Sequence, residues 1–109
     1  LVAMLEMYHQ GIFTLETIVN KMCHTPADIF NIKQRGYLKP GYFADITVVN
    51  LNAPWTVSKD NILYKCGWSP FEGTTFNSKV ISTFVNGQLV YNDGNIDETT
   101  RGSRIYFNR

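Results

Sequence analysis

Apolar residues crowd the first eight positions, where Leu1, Val2, Ala3, Met4, Leu5, Met7 and Tyr8 leave only Glu6 polar before His9 and Gln10. A helix of this pattern is apolar nearly all round and needs neighbours on several sides. After Gly11, the residues Leu15, Ile18, Val19 and Met22 fall at i, i+3, i+4 and i+7. They form one stripe of a second helix, with Thr14 as its N-cap and Glu16 in its first turn. A third helix is predicted directly behind it. Thr25 would cap it, Pro26 would take the first helical position, where a missing N–H is harmless, and Asp28 would face the positive end of the helix dipole. Ala27, Ile29, Phe30 and Ile32 would supply its buried face, and Gly36 would end it in the left-handed conformation.

Beyond Gly36 the period shifts from helical to two, and the punctuation is that of antiparallel sheet. Pro40-Gly41 fits the centre of a type II turn, residues 45–51 form a β-branched run, and Trp55-Thr56-Val57 reads as a short extended piece. Residues 79–85 and 88–91 flank Asn86-Gly87, a dipeptide suited to a two-residue hairpin because both positions accept positive φ. Asn92-Asp93-Gly94 closes the far end of that hairpin, and Ile105-Tyr106-Phe107 is predicted as a terminal edge strand. There is no internal repeat. The expected architecture is α+β, three helices followed by a small antiparallel sheet.

Composition narrows the function classes. A chain of 109 residues with 44% hydrophobic content is one small domain with a core rather than a disordered segment. Ten Lys and Arg against nine Asp and Glu give a net charge of +1, which offers no footprint for nucleic acid or an anionic membrane, so neither is an expected partner. No apolar run reaches the roughly 20 residues that span a bilayer. Leu1 opens the chain in mid-helix pattern, which predicts a cut with sequence upstream of it. Cys23 and Cys66 lack CxxC spacing and no secretory signal precedes them; they are expected to be buried, reduced and unbridged in a cytoplasmic protein.

Candidate chemistry is sparse. His9 and His24 occupy separate helix ends without a second His, Cys or carboxylate at i+2 or i+4, so both are expected to be structural, His24 bonding a terminal carbonyl. Asp45, between Ala44 and a β-branched run, is expected to fix the start of the strand by accepting backbone N–H bonds rather than to act as a general base. In the loop from Cys66 through Gly67, Trp68, Ser69, Pro70, Phe71 and Glu72 to Gly73, Cys66 has no histidine near it in sequence. Ser69 is followed by Pro70 where a nucleophile elbow would start a helix. Trp68 and Phe71 are expected to plug this loop onto an apolar surface, a lid or pocket wall being the alternative. Gly36 and Gly41 precede a strand and are spaced too far apart to cradle a phosphate.

Thr25-Pro26-Ala27-Asp28-Ile29-Phe30, then Arg35-Gly36, Pro40-Gly41 and Ala44-Asp45-Ile46-Thr47-Val48-Val49, resemble the C-terminal pattern of the cyclic amidohydrolases within the amidohydrolase superfamily. Inside that group Trp68-Ser69-Pro70-Phe71-Glu72-Gly73, Lys79-Val80, Val85-Asn86-Gly87 and the ending from Gly102 through Ser103, Arg104, Ile105, Tyr106, Phe107 and Asn108 to Arg109 most resemble the dihydroorotases; allantoinases, dihydropyrimidinases and hydantoinases are the alternatives. The resemblance implies a TIM-like barrel with an appended β-sandwich. Residues 1–36 would be the closing helices of the barrel, and residues 37–109 a segment of the composite sandwich with a C-terminal tail. It also implies one or two zinc ions held by an N-terminal His-x-His, a carboxylated lysine, two further histidines and an aspartate. Metal-bound hydroxide would attack a ring amide, interconverting carbamoyl aspartate and dihydroorotate in pyrimidine biosynthesis. None of these ligands maps onto a position of this chain, so no catalytic, cofactor-binding or metal residue is assigned. The expected partners are the rest of a parent chain and, for that parent, a small-molecule substrate; a homo-oligomer is left open. A stand-alone noncatalytic interaction module or an inactive paralogue is the competing expectation.

Overall fold

The computed structural model describes residues 1–108; Arg109, the last residue of the ending quoted above, lies outside the described residues. Helix α1 (Val2–His9) ends in a Schellman motif, in which the Gly11 amide reaches Tyr8 O at 2.9 Å and the Ile12 amide reaches Met7 O at 2.9 Å. Gly11 supplies the positive φ of +73° that this closure needs. Thr14 then caps α2 (Leu15–Val19) as expected, its hydroxyl accepting the Thr17 amide at 3.2 Å.

The expected second and third helices are one continuous body. Thr25 is not an N-cap: its φ and ψ of −56° and −44° are helical, and α2 runs through a π-helical segment (Asn20–His24) into α3 (Thr25–Ile29). Pro26 gives the physical reason. Inside an ordinary helix its ring would collide with the carbonyl of Met22, four residues earlier, and leave that carbonyl without a donor. The wider π turn, with the Thr25 amide reaching back five residues to Asn20 O, makes room for the ring while the helix continues. Nor does Gly36 end the helix. Asn31 does, at φ +52°, with its amide on Asp28 O at 3.1 Å and the Ile32 amide on Ala27 O at 2.8 Å, a second Schellman closure. Gly36, at φ +82°, instead lets the returning chain lie directly against the helix.

A four-stranded antiparallel sheet follows, in the order β1 (Ile46–Asn50), β4 (Lys79–Val85), β5 (Gln88–Asn92) and β6 (Asn95–Ile96). β2 (Trp55–Thr56) and β3 (Thr75–Phe76) form a separate two-stranded ribbon. Pro40-Gly41 is a type II turn as predicted, with the Tyr42 amide on Lys39 O at 3.2 Å and Gly41 at φ +82°. Asn86 and Gly87, at φ +51° and +79°, make the expected type I′ hairpin between Val85 and Gln88. Asp93 and Gly94 make another, joining β5 to the unpredicted β6. Two bulges interrupt the ladders, one between Val48 and Val49 on the β1–β4 pair and one between Thr83 and Phe84 on the β4–β5 pair. Each breaks the strict in-out alternation, and β4 is half-buried along its whole length. The stretch 105–107 is a single antiparallel bridge, Ile32 to Phe107, rather than a strand.

Valine at position 87 would have to adopt a φ that β-branched residues resist, so Gly87→Val is expected to cost about 1–3 kcal/mol, read as a lowered denaturant midpoint. An unchanged midpoint would show that the turn relaxes to another type.

The core is small. Leu5, Ile18, Ala27, Val57 and Phe76 are buried, and Phe76 is packed by Trp55 and Phe71 with ring centroids 5.9 and 5.5 Å away. The predicted buried face of the third helix is realised only in part: Ala27 is buried, whereas Ile29 and Phe30 are 66% and 63% exposed, because the closure at Asn31 turns the chain back along the Ala27 side. On the second stripe Val19 and Met22 are also exposed while Ile18 is buried. Among the described residues no helix is long and apolar enough to cross a membrane.

Candidate functional site

The densest polar junction lies where the helical layer meets the sheet, and it is built on Arg35. The chain leaves α3 through Asn31 and Gln34, both at positive φ, which carries Arg35 to the start of β1 and the tip of the β4–β5 hairpin. Its guanidinium pairs with the Asp45 carboxylate, donates to Asn86 Oδ1 at 2.8 Å and to Ser103 Oγ at 3.2 Å, and stacks 4.3 Å from the centroid of Phe43. Asp45 also accepts the Asn86 amide at 2.8 Å. The expected role for Asp45 therefore holds, with the hairpin tip as the donor. The Arg35 guanidinium and the Asp45 carboxylate are both tied to other parts of the chain, which makes the junction a clasp rather than a reactive centre.

The two histidines are far apart in role. His9 Nε2 shares a 2.8 Å hydrogen bond with Ser78 Oγ, and Ser78 is fully buried; one turn earlier Glu6 accepts the Asn77 amide at 3.0 Å and the Asn77 side-chain amide at 2.8 Å. Trp55 Nε1 donates to Ser78 O at 2.9 Å. Glu6 and His9, three residues apart on one helix face, thus pin α1 to the segment between β3 and β4. A serine this deeply buried cannot meet a substrate, so the Ser–His pair is structural. His24 does not bond a helix-terminal carbonyl as expected; its ring stacks on Tyr37, centroids 4.2 Å apart and planes 6° from parallel. Tyr37 Oη donates to Asp28 Oδ2 at 2.6 Å, and that bond is the main cause of a phenol pKa raised above its ordinary range. The Lys39 ammonium completes this group, 4.3 Å over the Tyr42 ring.

The thiols are unbridged but both are exposed, not buried as expected. Cys23, within the π segment, is exposed, and Cys66 donates weakly to Trp68 O at 3.5 Å. In the same loop Phe71 makes one edge-on contact with Phe76 but is 46% exposed, and Trp68 is 59% exposed, so neither aromatic is the buried plug that was expected. Ser69 Oγ accepts the Phe71 amide at 3.1 Å, a local turn with no base beside it. Near the end of the sheet Asp97 accepts from Thr100 and Thr99, and these bonds hold its carboxyl at about 2.

A catalytic zinc needs about three convergent protein ligands. Among the described residues no three His, Cys, Asp or Glu side chains come together in that way, and the residues present do not fit such an ion. Nothing in the sequence marks Glu6, Asn77, Ser78 or Ser103 as junction residues. Only Asn86 carried a signal, as half of the turn, and it pointed to backbone conformation rather than to the side-chain oxygen that Arg35 grips.

Residues 2–90 match the model of the amidohydrolase family. A dihydroorotase of Pyrococcus furiosus is 39% identical over 102 residues, covering 94% of this chain and 24% of the relative. A dihydroorotase of Geobacter metallireducens is 42% identical over 87 residues, 80% of this chain and 20% of that relative. The L-hydantoinase (dihydropyrimidinase) from Arthrobacter aurescens superposes with a TM-score of 0.79 at 30% identity, covering 88% of this chain and 22% of its own. The chain spans about a quarter or less of the length of these relatives.

Proposed function

The chain belongs to the amidohydrolase family, and on that premise we propose that it is the C-terminal part of a dihydroorotase-like hydrolase of cyclic amides. The observation that carries the proposal is the asymmetry of coverage: 94% of this chain is matched at 39% identity by a dihydroorotase of which it represents only 24%. In this reading residues 1–36 close the barrel and residues 37–109 belong to the sandwich. The exposure of Ile29, Phe30, Val19 and Met22 supports it, since these side chains would find their cover in the remainder of the parent. The zinc ligands and the substrate pocket of the parent lie outside these residues. What this chain contributes is rigidity, through the Arg35 clasp and the Glu6 and His9 contacts that join helix to sheet. A parent acting on a hydantoin or dihydropyrimidine ring is the second reading, favoured by the superposition on L-hydantoinase.

Purified alone, the chain is expected to show no dihydroorotase activity and to retain no stoichiometric zinc. Co-expressed with the complementary N-terminal portion, it should restore metal-dependent ring opening of dihydroorotate, assayed beside hydantoin and dihydrouracil to separate the two readings. Turnover by the isolated chain, or a metal-loaded parent inert toward every cyclic amide tried, would overturn the assignment.

A further inference from the structure

The tail after Thr100 leaves the sheet and returns to the helical layer. Gly102 passes Val85 closely enough that a Cβ there would lie 3.9 Å from Val85 Cγ1. Ser103 Oγ then takes a bond from Arg35 and donates to Asn86 Oδ1 at 3.3 Å. Further on, the Lys33 amide donates to Tyr106 O at 2.8 Å and the Asn108 amide to Asn31 O at 2.8 Å, framing the antiparallel bridge between Ile32 and Phe107. The tail therefore touches both layers and the Arg35 clasp between them. Its own anchoring is shallow. Residues 101–108 are exposed throughout, and Ile105 and Tyr106 keep 43% and 60% of their surface in solvent.

We propose that residues 101–108 act as a strap that locks the segment 31–35 to the sheet and can be released without unfolding either layer. Few buried contacts and solvent-facing backbone bonds place a segment at the low end of local stability. The receiving segment shares that character, because residues 31–35 carry no regular secondary structure beyond the bridge, and two of them, Asn31 and Gln34, hold a left-handed backbone. Release would free Lys33 and loosen one of the bonds that orient Arg35, while Asp45 and Asn86 still hold the guanidinium.

The test is limited proteolysis of the 109-residue chain in dilute solution with a lysine-specific endoproteinase, which leaves the lysine-free tail intact, following cleavage after Lys33 with hydrogen exchange of the β4–β5 amides measured in parallel. Truncation after Thr100 is expected to speed cleavage after Lys33 by about tenfold or more, as local opening becomes the resting state, with β4–β5 protection retained. Ser103→Ala, which keeps the backbone bridge, is expected to give a smaller rise of roughly two- to threefold. Cleavage unchanged in both variants would overturn the strap. So would loss of β4–β5 protection on truncation, since the tail would then be integral to the sheet.

Discussion

Gly36→Ala is expected to destabilise the chain by about 3 kcal/mol or more, combining overpacking with a left-handed backbone. A Cβ at position 36 would lie 2.4 Å from Ala27 Cβ and 2.8 Å from the carbonyl oxygen of Cys23. Neither neighbour can swing aside, since one is a buried methyl on α3 and the other is helix backbone. The internal control is Gly41→Ala. Gly41 has the same φ of +82° but no atom within 4 Å of its would-be Cβ, so the substitution isolates the backbone contribution, on the order of 1 kcal/mol. Urea midpoints of the two variants check the difference. Equal losses would show that the close approach to the helix relaxes freely.

Arg35→Ala is expected to cost about 2–3 kcal/mol, below the range for a fully buried pair because the Asp45 side chain remains 33% exposed. The loss comes less from the missing attraction than from what stays behind: a carboxylate holding one backbone amide, and Asn86 Oδ1 without its strongest donor. Arg35→Lys should recover only part of it, because an ammonium cannot reach Asp45, Asn86 and Ser103 from one planar fork. Lys79→Ala breaks a pair of similar formal charge, Lys79 with Asp93, that lies open to solvent. It should leave the unfolding midpoint in place. A midpoint for Arg35→Ala no lower than that of Lys79→Ala would sink the view of Arg35 as the clasp.

The sheet was the more legible half of this chain because its turns are written in local chemistry. Pro40-Gly41 and Asn86-Gly87 each announce a backbone conformation that few other residues accept, and both turns formed where expected. The helices were harder to divide. Thr25-Pro26 carries the same letters whether it starts a helix or sits on a π turn inside one, and the choice depends on whether the preceding carbonyls have somewhere else to go. Gly36 outranks Asn31 as a helix stop by propensity, yet the helix stops at Asn31 and glycine at 36 is demanded by its approach to Ala27. The Arg35 clasp joins residues 10 to 68 positions apart, and no period or spacing encodes such a meeting. Family resemblance supplied what periodicity could not, the kinship with dihydroorotases, and the 39% identity to the Pyrococcus furiosus enzyme bears it out.

The π segment at Asn20–His24 also sets the length of its helix. A π turn is in effect one surplus residue within an α-helix, and each residue advances the helix face by roughly 100°. Deleting one residue between 20 and 24 would therefore restore α geometry and leave Ala27 facing Gly36, but it would press the Pro26 ring back onto the carbonyl four residues before it. Adding one would instead rotate Ala27 by about 100° away from Gly36. The segment takes up slack in one direction only. Substitutions on its exposed side should pass through it readily, a deletion should be tolerated where Pro26 is also replaced, and insertions should be confined to the loops on either side.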